Sequence, residues 1–335
     1  MRRRTLRMFA AGTGLFLAMT LGACSSNVPD SGDGGGLTTV SMGTQPWIGY
    51  GPWYIAKEKG FDKQHGVALN LVVFSTDSDV TSAFASGQIN STNAASASAA
   101  RLLSSYQDQT IVLFEDISTT ADAIIAGPSI STVQDLKGKK VAFEEGTTSD
   151  LLLRYALSTA GLTINDIQVV TTPAGSAGAA LISGDVDAAV TYEPYVSGAI
   201  DAKEGVRRIF TAEEKPGLIS DLLTVQTKWA KENPEAVQGL LAAWNDAIEY
   251  LRSNPEDGHA IIANAIGAKL EDVTSSFDGV KFYDLAQSNA FLANDFPDLS
   301  NEVQRILTEA GDNTAQGLDL SASVNVSYGE QAVGK

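Results

Sequence analysis

The sequence predicts an α/β protein folded as two lobes around a shared crevice, and three observations point there. From Leu37 onward short apolar runs alternate with helical stretches, the pattern of strands interleaved with helices. The chain has 335 residues, 44% of them hydrophobic, enough for two cores at ~100–200 residues per domain. One turn also recurs. Ser86-Gly-Gln-Ile-Asn90 and Ser183-Gly-Asp-Val-Asp187 share the form Ser-Gly-x-(Ile/Val)-(Asn/Asp), each read as a helix end, a terminating glycine and a short strand. Two halves on one plan, with strand ends facing a common crevice, suit a ligand clamp.

The elements follow in order. Arg2, Arg3, Arg4 and Arg7 precede the apolar run Met8–Ala23, the form of a secretory signal. At about 15 residues that run is short of the ~20 that a membrane-spanning helix needs. It ends Leu21-Gly-Ala-Cys24, two small residues before the only cysteine, which resembles a bacterial lipobox. Residues 1–23 are therefore expected to be a signal peptide and Cys24 the lipidated N-terminus, with the general secretory route as the default and a twin-arginine route open. Residues 24–36, rich in Ser and Gly, read as a flexible tether. A body without further cysteine has no internal disulfide and no thiolate metal site. An exported domain on a lipid leash works at the outer face of a bacterial cytoplasmic membrane.

In the body, Thr38–Met42 reads as a strand, and Gly49-Tyr-Gly-Pro52 opens a helix that Gly60 ends. Ala68–Phe74 is a strand and Asp77–Ser86 a helix stopped by Gly87, with Asp77 or Ser78 as its cap. Ile111–Asp116 and Ala123–Ala126 are strands, Val133–Leu136 a helical turn ended at Gly138, and Val141–Glu144 a strand. Ser149–Ala160 is a helix closed by Gly161, Ile167–Thr171 and Ala188–Thr191 are strands, and the tail from Asn233 is mostly helical, punctuated by Pro234 and Pro255. Residues 37–121 and 229–335 are expected to form one lobe and 122–228 the other, with the chain crossing near Ala121–Ala126 and Leu223–Thr227.

The charge balance, 23 Lys+Arg against 40 Asp+Glu for a net −17, leaves no basic stripe for phosphates and argues against nucleic-acid binding or a polybasic hold on membranes. Catalytic constellations are also missing. The two histidines, His65 and His259, sit in polar turn-like contexts. There is no Walker loop, no His-x-x-x-His spacing and no G-x-S-x-G elbow. No cofactor and no metal are expected.

Four blocks carry a resemblance. Trp47-Ile-Gly-Tyr-Gly-Pro-Trp-Tyr-Ile-Ala-Lys-Glu-Lys-Gly-Phe61, Ser131-Thr-Val-Gln-Asp-Leu-Lys-Gly-Lys-Lys-Val-Ala142, Glu145-Gly-Thr-Thr-Ser-Asp150 and Ser183-Gly-Asp-Val-Asp-Ala-Ala-Val-Thr-Tyr-Glu-Pro-Tyr195 occur in this order. As a set, over roughly Val40 to Tyr250, they resemble the extracytoplasmic solute-binding proteins of the nitrate/sulfonate/taurine and thiamine-pyrimidine (NMT1/SsuA-like) group. The resemblance implies a periplasmic-binding-protein-like fold of type II, with two crossing strands and a cleft that closes on a small solute. It also implies an ABC importer whose permease and ATPase are separate chains.

Ligands of open α/β sheets sit beyond the carboxyl ends of strands, which selects the candidate ligand residues. Trp47 and Tyr50 offer stacking faces, or else core packing. Asp77 is a contact or a cap, and Asn93 a polar contact or turn residue. Thr147 and Thr148 open a helix whose N–H groups suit an oxyanion, which is how the resemblance reads them, or else form a capping box with Asp150. Glu144, Glu145 and Asp150 beside them argue against an anion. Glu193, between Tyr192 and Tyr195, suits a cationic or N–H-rich head, with the two rings as walls, or simply the next helix N-terminus. The family label suggests an organosulfonate, whereas the acid-rich loops suggest a pyrimidine or amidine. Two other functions stay open: a tethered sensor without transport, and an enzyme on the same fold like the pyrimidine-synthesis relatives, whose cysteine-rich motif this chain lacks.

Overall fold

The chain lays down β1 (Thr38–Thr44), β2 (Val67–Val73), β3 (Ser91–Ala95) and β4 (Gln109–Ser118) before passing to a second sheet. There it forms β5 (Asp122–Ala126), β6 (Lys140–Phe143), β7 (Gln168–Thr171), β8 (Ala188–Tyr192) and β9 (Arg207–Thr211). It returns as β10 (Ser220–Gln226) and β11 (Val280–Phe282). The sheets have the orders β11-β4-β10-β3-β1-β2 and β7-β6-β8-β5-β9. Within them β1 runs parallel to β2 and β3, and β6 parallel to β7 and β8, while β10 is antiparallel to both β3 and β4 and β5 to both β8 and β9. This computed structural model describes residues 36–309, 311–312 and 316–334. The expected signal, Cys24 and all but the last residue of the tether lie outside them. Among the described residues no helix is long and apolar enough to cross a membrane.

The passages between sheets are residues 119–121 and 212–219. Both precede the places inferred from sequence: Asp122–Ala126 is the buried strand β5, so the first passage shares only Ala121 with the expected Ala121–Ala126. Leu223–Thr227 is not a crossing: Leu222, Leu223 and Val225 are fully buried in β10, at the heart of the first sheet. A central strand and a buried linker present the same apolar run. Residues 220–228, expected in the second lobe, thus belong structurally with the first sheet.

The recurring turn has a structural counterpart. Gly87 and Gly184 adopt φ of 77° and 86°, the left-handed region in which only glycine is unstrained. In the first turn Asn90 donates its N–H to the Ser41 carbonyl (3.0 Å) and accepts the Ser41 N–H on Oδ1 (3.1 Å). In the second, Asp187 does the same to Lys140, at 2.9 Å for each bond. Ile89 and Val186, one residue earlier, are both buried. Each turn therefore clips the incoming strand to the strand beside it.

Helix Gly51–Lys59 has Pro52 in its first turn and ends at Gly60, φ 75°. Its Trp53 packs on Trp244 of helix Pro234–Ser253, rings 4.8 Å apart, in the core of the first sheet. Phe143, Leu151, Leu152 and Leu153 anchor the core of the second. Helix Asp77–Ala85 is capped by Thr76, which accepts the Asp79 N–H, rather than by Asp77 or Ser78. Every residue of β4 is buried, Glu115 and Asp116 included.

Candidate ligand-binding site

A crevice between the two sheets encloses about 460 Å³ of unfilled space, partly open to solvent. It is lined by Gln45, Trp47, Tyr50, Asp77, Ala95, Asp122, Glu144, Thr147, Thr148, Ser149, Ala174, Tyr192 and Asp221. The loop after β1 brings in Gln45, Trp47 and Tyr50, and the loop after β6 brings Glu144, Thr147 and Thr148. This is the carboxyl-end position that the topology favours.

Asp221 organises the aromatic wall. Trp47 Nε1 donates to its Oδ2 (3.0 Å) and Tyr50 OH to its Oδ1 (2.9 Å), and all three residues are buried. Trp47 in turn meets the edge of Tyr192, 5.7 Å between centroids at 90°. That contact bridges the sheets, since Trp47 follows β1 and Tyr192 ends β8.

Four carboxylates line the crevice, and no Lys or Arg does. Burial pushes the Asp122 carboxyl up to about 7, with the charges of Asp221 and Glu193 adding to it and a Ser118 hydrogen bond opposing. Burial raises Asp221 to about 6, against the bonds with Tyr50, Asp116 and Trp47. Glu144 is raised by burial, although it accepts the Ala174 N–H at 3.0 Å. Asp77 is raised by burial and partly relieved by the Ser98 hydroxyl, 2.6 Å away, and by the charge of Arg101. Two more acids stand behind. Glu115 accepts Trp53 Nε1 (2.8 Å) and Asp116 sits opposite Asp221 across the β4–β10 ladder; burial, first of all, drives both well upward.

Desolvated carboxylates without cationic partners are costly. Acceptor-only groups beside π faces can be satisfied by a positively charged, N–H-bearing guest. An anion would meet these four carboxylates, and at the helix start at Thr148 the Ser149 N–H is already accepted by Thr147 Oγ1 (3.3 Å).

Of the residues singled out from sequence, the structure brings together Trp47, Tyr50, Asp77, Thr147, Thr148 and Tyr192. Three stand elsewhere. Asn93 is buried in β3 and donates to Thr44 Oγ1 (3.1 Å). Glu193, fully buried, is not a ligand group facing the crevice: it pairs with Arg208 Nη2 (2.5 Å) and accepts from Ser197 N (3.1 Å) and Oγ (2.8 Å), fixing the start of helix Tyr195–Ala202. Tyr195 packs on Tyr192 (5.3 Å) and over Gly175, where a Cβ would come within 3.2 Å of its ring. Asp150 does not form the expected capping box with Thr147. It accepts the Gly146 N–H (3.0 Å) and pairs with Arg154 (2.5 Å).

Sequence reasoning missed Asp122, Asp221, Gln45, Ala95, Ser149 and Ala174, and counted Glu144 only as a neighbour. A signal existed for the two aspartates: each is a lone acid at the edge of an apolar strand, as in Ala121-Asp-Ala-Ile-Ile125 and Ser220-Asp-Leu-Leu223. Among the described residues no group of three or more His, Cys, Asp or Glu is arranged to hold a metal ion.

Residues 33–267 match the NMT1-like family. A protein of Escherichia coli K12 named for aliphatic-sulfonate binding is 36% identical over 149 residues, 44% of this chain and 46% of that protein, so the match spans about half its length. The taurine-binding periplasmic protein of the same organism is 24% identical over 274 residues, 79% of this chain and 84% of that one. In fold, the periplasmic aliphatic sulphonate binding protein SsuA from Escherichia coli superposes with a TM-score of 0.71 at 24% identity, covering 85% of this chain and 97% of that chain.

Proposed function

Because the chain belongs to the NMT1-like family, we propose that it is the solute-binding component of an ABC importer and captures a small organic cation bearing N–H groups. The two sheets act as two lobes, roughly 37–121 with 220–335 and 122–219. They close on the solute and present it to a permease driven by a separate ATPase, while a lipid on Cys24 keeps the protein at the membrane's outer face. The observation that carries the choice of solute is the lining itself: four carboxylates, three aromatic rings and no basic side chain. The relatives named for sulfonates and taurine favour an anionic or zwitterionic solute, but this lining would oppose a sulfonate from both sheets.

The binding reading is supported over catalysis by what surrounds the crevice hydroxyls. Neither histidine lines it: His65 bonds Asp246 (2.7 Å) and His259 stacks on Phe277 (3.9 Å). Thr147 Oγ1 donates instead to the Glu144 backbone carbonyl (2.8 Å), so no histidine is placed to activate it.

The test is a thermal-shift panel on the purified protein with alkylamines, guanidinium, an aminopyrimidine, taurine, ethanesulfonate and nitrate. A solute at 100 times its dissociation constant adds ~2.7 kcal/mol to the bound state. A shift with the amines, guanidinium or the aminopyrimidine is expected; a shift with ethanesulfonate or nitrate alone would return the site to the relatives' chemistry. Co-purification with permease and ATPase subunits separates an importer from a tethered sensor.

A further inference from the structure

We infer that Glu144 fills, with its own carboxylate, the place in the crevice wall where an anionic group would bind, and that this one side chain turns the site from anions to cations. This rests on reading the crevice as a cation site and names the residue that decides it.

Helix Ala174–Ser183 begins after Pro173, which supplies no side-chain cap, and no acidic residue stands in its first turn, which opens Ala-Gly-Ser. The carboxylate that serves this start comes from another part of the chain: Glu144 Oε2 accepts the Ala174 N–H at 3.0 Å. A helix start with small residues suits an anion, because its first N–H groups lack partners within the helix and the helix dipole adds positive potential. Glu144 and Ala174 both line the crevice, so their hydrogen bond stands in the wall that a solute meets.

The side of the first sheet meets the same carboxylate. Helix Asp77–Ala85 starts there, and the Asp77 N–H helps to hold Glu144 ionised. Asp77, Glu144 and Thr147 line both the crevice and a neighbouring cavity. Arg101 lines that cavity too; its Nε pairs with Asp312 at 2.7 Å, and neither Nη has a hydrogen-bond partner. Two helix starts and a guanidinium thus stand about the place that Glu144 takes. The charges of Asp77 and Asp79 oppose a negative group there, although the Ser98 hydroxyl engages Asp77 Oδ2 at 2.6 Å. They hold the gain expected from vacating the place to a modest one.

A solute anion needs the donors that Glu144 uses, and it competes with a carboxylate tethered beside them at high effective concentration. An ammonium or guanidinium meets no such competitor, and Glu144 is one more acceptor for it. Exclusion by occupation differs from exclusion by net charge. Removing the side chain frees the N–H groups, whereas a neutral side chain of the same length keeps them covered.

The experiment is calorimetric titration of the purified full-length protein, wild type, Glu144→Ala and Glu144→Gln, with acetate, ethanesulfonate, taurine and propylamine. Melting curves confirm that the variants fold. Acetate is the fragment that Glu144→Ala deletes. Glu144→Ala is expected to bind acetate and taurine about tenfold tighter than the wild type and propylamine about tenfold more weakly. Glu144→Gln should lose amine affinity to a similar extent and gain less than about threefold for either anion. A folded Glu144→Ala that gains nothing, or equal gains in the two variants, would overturn the inference, and amine binding by the wild type would then leave the cation reading standing. Ethanesulfonate bound by the wild type, with propylamine unbound, would overturn both.

Discussion

At the scale of single residues, Asp221 carries the most consequence. It orients Trp47 and Tyr50 by one hydrogen bond each, shares a further bond with the Asp116 carboxyl behind it, and lines the crevice. Asp221→Asn keeps the shape but removes the charge and turns one acceptor into a donor aimed at Trp47 or Tyr50. We expect at least a tenfold loss of cation affinity by titration calorimetry, together with altered Trp47 fluorescence. Glu193 makes the contrasting case. Its bonds go to Arg208 and Ser197, so Glu193→Gln should lower the melting temperature by a few degrees and leave the dissociation constant within about threefold. Arg208 is about a third exposed, which holds the cost to ~1–2 kcal/mol, below that of a fully buried pair. The two residues also mark what a sequence shows and hides. Glu193 stands in a conspicuous Tyr-Glu-Pro-Tyr motif, yet its side chain turns back onto its own helix, which motif context does not reveal. Asp221 lies in an unremarkable strand, and only the insertion of β10 between β4 and β3, next to β1, brings it under Trp47.

At the scale of elements, the paired turns govern how strands join their sheets. Asp187 and Asn90 occupy equivalent positions and make equivalent two-bond clips to the adjacent strand. Asp187→Ala removes the bond from Lys140 N; Asn90→Ala removes the bond from Ser41 N. Each is expected to cost about 1 kcal/mol, measured by urea unfolding, with no change in the solute preferred. These turns were legible because glycine chemistry is local: a left-handed residue after a helix is written in the sequence itself. The helix starts at Gly51 and near Thr148 were legible for the same reason. Helix Ser96–Ser105, strand β9 and the short β11 were not. Ser96-Ala-Ser-Ala-Ala100 has no apolar stripe of contrast, and β9 and β11 are defined by the strands they pair with rather than by their own residues. The second crossing was misplaced because buried strand and buried linker look alike until the partners of β10 are known.

At the scale of the whole molecule, the crevice carboxylates come from both sides: Asp77 and Asp221 belong with the first sheet, Glu144 and Asp122 with the second. Closing the empty protein brings like charges together, and closing it on a cation removes the opposition. A pH dependence follows. The Asp122 and Asp221 carboxyls, at about 7 and about 6, lie above the ordinary aspartate value of 3.8. Between about pH 4.5 and 8 the folded protein therefore binds more protons than the unfolded chain, and its stability falls as pH rises through that window. The ligand-free melting temperature should drop from pH 5 to pH 8 while affinity for a cation rises. Asp122→Asn should flatten both trends, and a ligand-free melting temperature that climbs over this range would contradict the account.

Asp122 directly follows the passage at 119–121 and Asp221 is the second residue after that at 212–219, the places where the backbone leaves one sheet for the other. Sensor and axle are thus the same part. A guest's charge is registered at the pivot, with no lever arm between detection and movement, so a substitution there resets the resting angle of the molecule before any solute arrives. Small-angle scattering of ligand-free Asp122→Asn should show a more compact particle than the parent at pH 8, because the repulsion that holds the jaws apart has been removed at its root.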